Sequence, residues 1–215
     1  PATAMVDGLG LVLPYEFKGS AYPGNGGTCS GVLATSSSCK IVVSFNPTAT
    51  GVVNDTVIVD YDNGIGVVQV SSTLAGEGTD PGEITISDSD PYSFGDVAIN
   101  GVAEHTFELE NTGDSPVTSI VVSGIGVPYR YKDGVFPGTG GDCGATLAPG
   151  VTCDIVITFE PTTVATFPDT LVVDFFDGAG PQTENRTMTG DGENPATLVI
   201  AGANPFPFGG RPIGS

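Results

Sequence analysis

The sequence predicts an all-β protein made of tandem antiparallel β-sandwich modules, and three observations predict it. The chain repeats itself at an offset of 114 residues, it is rich in strand and turn residues, and its apolar positions alternate. The repeat is the strongest of these. Cys29-Ser-Gly-Val-Leu-Ala-Thr-Ser-Ser-Ser-Cys39-Lys-Ile-Val-Val-Ser-Phe45-Asn-Pro47 returns as Cys143-Gly-Ala-Thr-Leu-Ala-Pro-Gly-Val-Thr-Cys153-Asp-Ile-Val-Ile-Thr-Phe159-Glu-Pro161. The same register carries Pro14-Tyr15 onto Pro128-Tyr129, Asp60 onto Asp174, and Phe94-Gly95 onto Phe208-Gly209 without a gap.

A chain of 215 residues is ordinarily one large or two small domains, and the offset decides for modules of about one hundred residues. Gly and Pro are plentiful, at 32 and 17, as many short strands joined by turns require. The charge is lopsided, with 25 acidic against 6 basic residues and a net of −19. Nothing here neutralises a run of phosphates, so nucleic acid is excluded as a partner, and an anionic membrane surface repels the chain. No apolar run approaches the ~20 residues of a membrane-spanning helix. The chain opens in mid-module, so any signal peptide is expected upstream or already removed.

Taken in order, the second repeat is the complete one. Glu83–Ser87 alternates as a strand and Asp88-Ser-Asp-Pro91 breaks it. Phe94–Ala98 is a short strand before the turn Asn100-Gly101. Thr106–Asn111 alternates cleanly, which points Phe107 and Leu109 inward and the glutamates outward. After the turn Asn111-Thr-Gly-Asp114, Pro116–Val122 is a further strand. A Gly-rich stretch from Gly134 to Gly144 carries Phe136 as its anchor, and Ala148-Pro-Gly150 turns into Cys153–Phe159. Cys153, Ile155, Ile157 and Phe159 share one face of that strand. Asp169–Phe176 and Gln182–Thr189 form a hairpin closed by Asp177-Gly178. About seven strands with turn signals every eight to twelve residues is the pattern of an antiparallel sandwich.

The register sets the expected domains. Residues 1–78 form an incomplete first repeat that lacks the strands equivalent to 83–111, and residues 79–192 form the complete second repeat. Residues 193–215 are either the first strands of a third repeat or a donor segment for a neighbouring subunit. Strand donation has a difficulty, because the segment stops before the equivalent of Thr106–Asn111 and its end, Gly209–Ser215, is a poor strand.

The four cysteines fall as two Cys-x9-Cys pairs, one per repeat. A disulfide Cys29–Cys39 and a disulfide Cys143–Cys153 are expected, and with them an oxidising compartment outside the cytoplasm. Zinc needs four convergent ligands, and the one imidazole, His105, has no counterpart in the other repeat.

The run Thr106-Phe-Glu-Leu-Glu-Asn111-Thr-Gly-Asp114, followed by Cys143 to Pro161, resembles a known family. It is similar to the immunoglobulin-like repeats called choice-of-anchor D modules in bacterial surface proteins, relatives of the abnormal-spindle/Hydin domains. The likeness covers the second repeat and most of the first, where Ala34-Thr-Ser36 stands in place of Ala-Pro-Gly. It implies immunoglobulin-like sandwiches in large exported proteins with structural or adhesive roles, and it brings no catalytic residues.

The residues themselves offer little catalytic chemistry. His105 reads as a strand-edge residue, no Gly-x-Ser-x-Gly elbow is present, and no spacing picks a carboxylate pair. Calcium is the candidate metal, on Asp60 and Asp62 in one hairpin and Asp174 and Asp177 in its counterpart, since oxygen-rich loops between modules bind it. The competing reading is that Asn-Gly and Asp-Gly are what tight hairpins demand, and the full Asp-x-Asp-x-Asp-Gly series is absent. Tyr15, Phe17, Tyr129 and Tyr131 recur in register and are a candidate glycan platform, against the plainer reading that they pack their own sandwich. Asn54-Asp-Thr56 and Asn185-Arg-Thr187 are glycosylation sequons of a length that arises by chance.

The expected protein is therefore an extracellular or cell-surface structural or adhesive one, not an enzyme, forming a rod, filament or sheath. Its expected partners are adjacent repeats, copies of itself, or surface glycans and proteins, with no membrane insertion. The alternative is a glycan- or partner-binding accessory module of a larger secreted adhesin or enzyme.

Overall fold

The computed structural model describes residues 1–202, 204–210 and 213–214. Ala203, Arg211, Pro212 and Ser215, which fall in the expected third repeat, lie outside the described residues. The chain divides into two compact units, residues 1–82 with 113–115 and residues 83–112 with 116–215.

The first unit holds β1 (Ala2–Asp7), β2 (Tyr15–Phe17), β3 (Val32–Leu33), β4 (Val43–Phe45), β5 (Gly51–Asp62) and β6 (Val67–Gly78). One sheet runs in the order β3-β1-β5-β6 and β2 pairs with β4 in a second. Every pairing here is antiparallel. The long hairpin of β5 and β6 is in continuous register from Gly51↔Gly78 to Asp62↔Val67.

The second unit holds β7 (Ile84–Ile86), β8 (Tyr92–Ala98), β9 (Ala103–Asn111), β10 (Val117–Ser123), β11 (Tyr129–Tyr131), β12 (Thr146–Leu147), β13 (Thr152–Phe159), β14 (Ala165–Phe176) and β15 (Pro181–Glu193). A five-stranded sheet in the order β12-β10-β14-β15-β8 faces a four-stranded one in the order β11-β13-β9-β7. This is a β-sandwich of immunoglobulin-like kind. Two short strands, β11 and β12, escape a reading by alternation because three and two residues are too few to show a period. A second departure is that β8 pairs in parallel with β15, placing the first long strand beside the last.

Alternation explains the core. On β9, Phe107 and Leu109 are fully buried between exposed Glu108 and Glu110. They meet Ile155, Ile157 and Phe159 of β13, Leu171 and Val173 of β14, and Met188 of β15. A fully buried Leu or Phe contributes about 1.5–3 kcal/mol over an exposed one, so this cluster is the principal drive to fold the unit. The inner and outer faces of β13 are both covered, since Val156 and Thr158 are buried too. The cover on this strand includes the Gly-rich loop, which donates from the N–H groups of Asp142 and Cys143 to the Asp154 carbonyl and accepts from the Val156 N–H at Pro137. Disulfides Cys29–Cys39 and Cys143–Cys153 clip these loops, one per unit.

Among the described residues beyond Glu193 there is no strand. No helix among the described residues is long and apolar enough to cross a membrane.

Candidate functional site

The residues singled out by the repeat occupy equivalent places in the two units. Tyr129 on β11 stacks on Phe159 of β13 with centroids 4.8 Å apart, and Tyr15 on β2 meets Phe45 of β4 at 4.7 Å. The Tyr129 hydroxyl donates to the Phe167 carbonyl on β14 at 2.6 Å, and the Tyr15 hydroxyl to the Val53 carbonyl on β5 at 2.9 Å. Gly190 of β15 lies beneath this pair, where a Cβ would stand 2.6 Å from the Phe159 ring, and Gly76 of β6 is equally close to Tyr15 and Phe45. Each set ties one sheet of its unit to the other.

The glycan platform expected of these aromatics is corrected by their burial. Tyr15 is 4% exposed, Phe17 7% and Tyr129 3%, so their faces pack the sandwich and offer no sugar a stacking surface. Tyr131 is half-buried, edge-on to Phe136, and its hydroxyl donates to the Val122 carbonyl. Burial pushes the Tyr129 hydroxyl well above the ordinary tyrosine range, helped by the charges of Asp169 and Asp191, and burial raises Tyr131 as well. Recurrence in register singles these residues out without saying whether they face inward.

The hairpin acids serve the turns. Asp177 Oδ1 accepts from the N–H groups of Ala179 at 2.7 Å and Gly180 at 2.6 Å, while its Oδ2 accepts from Gln182. Asn63, at the equivalent place, accepts from Ile65 and Gly66 in the same way, and Asp62 Oδ1 accepts from Gly64. Asp174 takes a hydrogen bond from Thr183. Among the described residues no three His, Cys, Asp or Glu side chains converge to hold a metal ion, and Asp60 with Asp62 and Asp174 with Asp177 sit in different units. Hydrogen bonds from Gly180 and Ala179 hold the Asp177 carboxyl below the usual aspartate value.

His105 is a half-buried residue within β9, two residues past its start at Ala103. Its ring stacks on Tyr92 at 3.8 Å and its Nε2 is 2.8 Å from Asp88 Oδ1. Sequence reading missed this partner because Asp88 lies in a breaker segment with no periodicity. Asn111 was also read as a turn residue, yet it is fully buried: its Oδ1 accepts from the Glu83 N–H and its Nδ2 donates to the Leu147 carbonyl.

The geometry leaves one open place. In the second unit Phe94 of β8 closes over Tyr129 and Phe159, at 5.4 and 5.8 Å. Among the described residues of the first unit, no strand flanks β6 on its outer side and no ring caps Tyr15 and Phe45. Phe45 is accordingly half-exposed where Phe159 is fully buried, and Leu74 is half-exposed where Met188 is buried. The first unit also has an apolar hollow lined by Met5, Tyr22, Val59, Val70 and the Cys29–Cys39 disulfide.

A sandwich held by an apolar core, a clipped loop and capped hairpins is an immunoglobulin-like module. Residues 85–191 match the family model described as HYDIN/CFA65/VesB-like, Ig-like domain, a match that supports the immunoglobulin-like fold of the second unit and its similarity to that family. No curated protein matches the chain. Among solved structures, the ASH/PapD-like domain 7 of human CEP192 is similar at 16% identity and a TM-score of 0.42, over 54% of this chain and 89% of that one. The VesB protease of Vibrio cholerae is similar at 12% identity and a TM-score of 0.40, over 50% of this chain and 31% of that one. A protein of unknown function from Porphyromonas gingivalis W83 follows at 11% identity and a TM-score of 0.40, over 69% and 70%. Likeness at this level concerns the fold alone.

Proposed function

We propose that the chain is a length of an extracellular structural or adhesive protein, of the choice-of-anchor D kind, whose tandem immunoglobulin-like modules form a rod, filament or sheath joined head to tail by strand complementation. The observation that carries this reading is the single plan repeated at 114 residues, down to the Tyr–Phe stack, the capped hairpin and the clipped loop. Its mechanism is mechanical: each disulfide removes a loop from the length that tension can extend. The disulfides favour an oxidising compartment. A non-catalytic role fits the side chains, because His105 is held by Asp88 and Tyr92 within the module.

Immunogold labelling of intact source cells, combined with thiol titration of the extracted protein, tests the reading. Label on extracellular fibres or envelope with all cysteines oxidised is expected. Cytoplasmic label with free thiols overturns it, and saturable binding on a glycan array would move the chain to the accessory-module alternative.

A further inference from the structure

The tip of the β5–β6 hairpin surrounds an asparagine with groups suited to acyl transfer. We propose that Asn63 is a self-modification site of the folded chain. The Gly64 nitrogen attacks the Asn63 side-chain amide, ammonia leaves, and the resulting succinimide opens in water to aspartate or isoaspartate.

The groups this reaction needs are in place. The nucleophile is the Gly64 backbone nitrogen, whose N–H donates to Asp62 Oδ1 at 2.7 Å. A carboxylate so placed takes the proton as the nitrogen attacks. The electrophile is Asn63 Cγ, and its Oδ1 accepts from the N–H groups of Ile65 at 2.9 Å and Gly66 at 3.1 Å. Two backbone donors aimed at an oxygen that gains negative charge during attack form an oxyanion hole. Gly64 has no side chain to hinder the approach of its nitrogen. The bond from the Gly64 nitrogen to Asn63 Cγ forms and the Cγ–Nδ2 bond breaks. The proton held by Asp62 passes to Nδ2, which leaves as ammonia, and the carboxylate is regenerated. Asn63, Gly64 and Ile65 are exposed, so water reaches the succinimide. Opening at the side-chain carbonyl gives isoaspartate's partner product, aspartate, when water adds to the imide there from the ring nitrogen's side chain arm, and opening at the backbone carbonyl gives isoaspartate.

Two contrasts within the chain isolate these groups. Asn-Gly also occurs at Asn25-Gly26 and Asn100-Gly101. The Gly101 N–H donates to the Ala98 carbonyl, which cannot act as the base, and among the described residues no carboxylate accepts from the Gly26 N–H. Nor, among the described residues, do backbone N–H groups hold the side-chain oxygen of Asn25 or Asn100 as they hold that of Asn63. The 114-residue register supplies the second contrast, placing Asp177 at Asn63, Gly178 at Gly64 and Phe176 at Asp62. The second unit thus lacks both the amide and the base, and it displays the product. Asp177 Oδ1 accepts from Ala179 and Gly180 as Asn63 Oδ1 does from Ile65 and Gly66. An aspartate at position 63 therefore fits the turn, whereas isoaspartate lengthens its backbone by a methylene.

The test incubates the oxidised full-length chain at neutral pH and follows each Asn-Gly site by peptide mapping and mass spectrometry, with enzymatic methylation reading isoaspartate. Loss of the Asn63 amide is expected about tenfold faster than at Asn25 or Asn100, and this preference should vanish when the same chain is unfolded in guanidinium chloride. Asp62→Asn keeps an acceptor for the Gly64 N–H without a base, so it should slow the reaction at Asn63 by about tenfold while circular dichroism stays unchanged. Asp177→Asn alone should remain an amide, because Phe176 offers no base. Combined with Phe176→Asp, it should lose that amide at a rate near that of Asn63. Equal rates at the three sites in the folded chain, or an Asp62→Asn chain that reacts as fast as the parent, overturn the proposal. Slower loss at Asn63 in the folded chain than in the unfolded one overturns it too, since the turn would then protect the amide.

Discussion

Tyr129 on β11 donates its hydroxyl proton to the carbonyl of Phe167 on β14 at 2.6 Å, bridging the two sheets of the second unit. The ring fills the core and the hydroxyl satisfies a backbone acceptor, so the two contributions separate on mutation. Tyr129→Phe should lower unfolding stability by about 1–2 kcal/mol, and Tyr129→Ala by about 3–5 kcal/mol because it also empties the core. Urea unfolding followed by circular dichroism checks both. Equal losses would mean the hydroxyl, not the ring, carries the effect.

The pair of His105 and Asp88 yields a second expectation. His105→Ala removes a ring stacked on Tyr92 and leaves Asp88 without its imidazole partner. A loss of about 1–3 kcal/mol follows from the unpaired group and lost packing. His105→Phe restores the stack without the hydrogen bond, so its denaturation midpoint should fall between those of the wild type and His105→Ala.

Disulfide Cys143–Cys153 closes a loop of sequence separation 10, which stabilises by about 2–3 kcal/mol. Replacing both cysteines by Ala should cost that amount. In single-molecule stretching, reduction should lengthen the second unit's unfolding step by roughly 35 Å, the extent of about ten extended residues. An unchanged step length would show that the loop is not clipped.

Asp177 predicts how the second unit responds to acid. Its folded pKa lies below the ordinary 3.8, chiefly through the N–H groups of Gly180 and Ala179. Its stabilising contribution is therefore full above about pH 4 and is lost as pH falls through the folded value. Asp90 is lowered in the same sense by Thr187. Asp177→Asn keeps an acceptor at the turn, as Asn63 does naturally. The variant should match the parent at pH 7 and lose less stability between pH 4 and pH 2, measured by thermal unfolding at each pH.

Much of this was legible because periodicity and repetition are one-dimensional signals. Phe107, Leu109, Ile155 and Phe159 announced their buried faces by alternation, and both disulfides followed from spacing. What escaped is set by pairing across the chain. The direction of β8 beside β15 depends on a contact almost one hundred residues apart, which no local pattern encodes. The burial of Tyr15 and Tyr129 depended on a face that a three-residue strand cannot declare. Asp88 and Asn111 gained partners through loops, where side-chain hydrogen bonds replace period as the organising force.

The parallel alignment of β8 with β15 has a consequence for load. Within the second unit, its first long strand and the strand that leaves it run side by side from Tyr92↔Met188 to Ala98↔Glu193. Tension applied along the chain draws them past one another lengthwise, so the ladder bonds are strained together and not peeled off singly. The module gives way only when the whole rank fails at once.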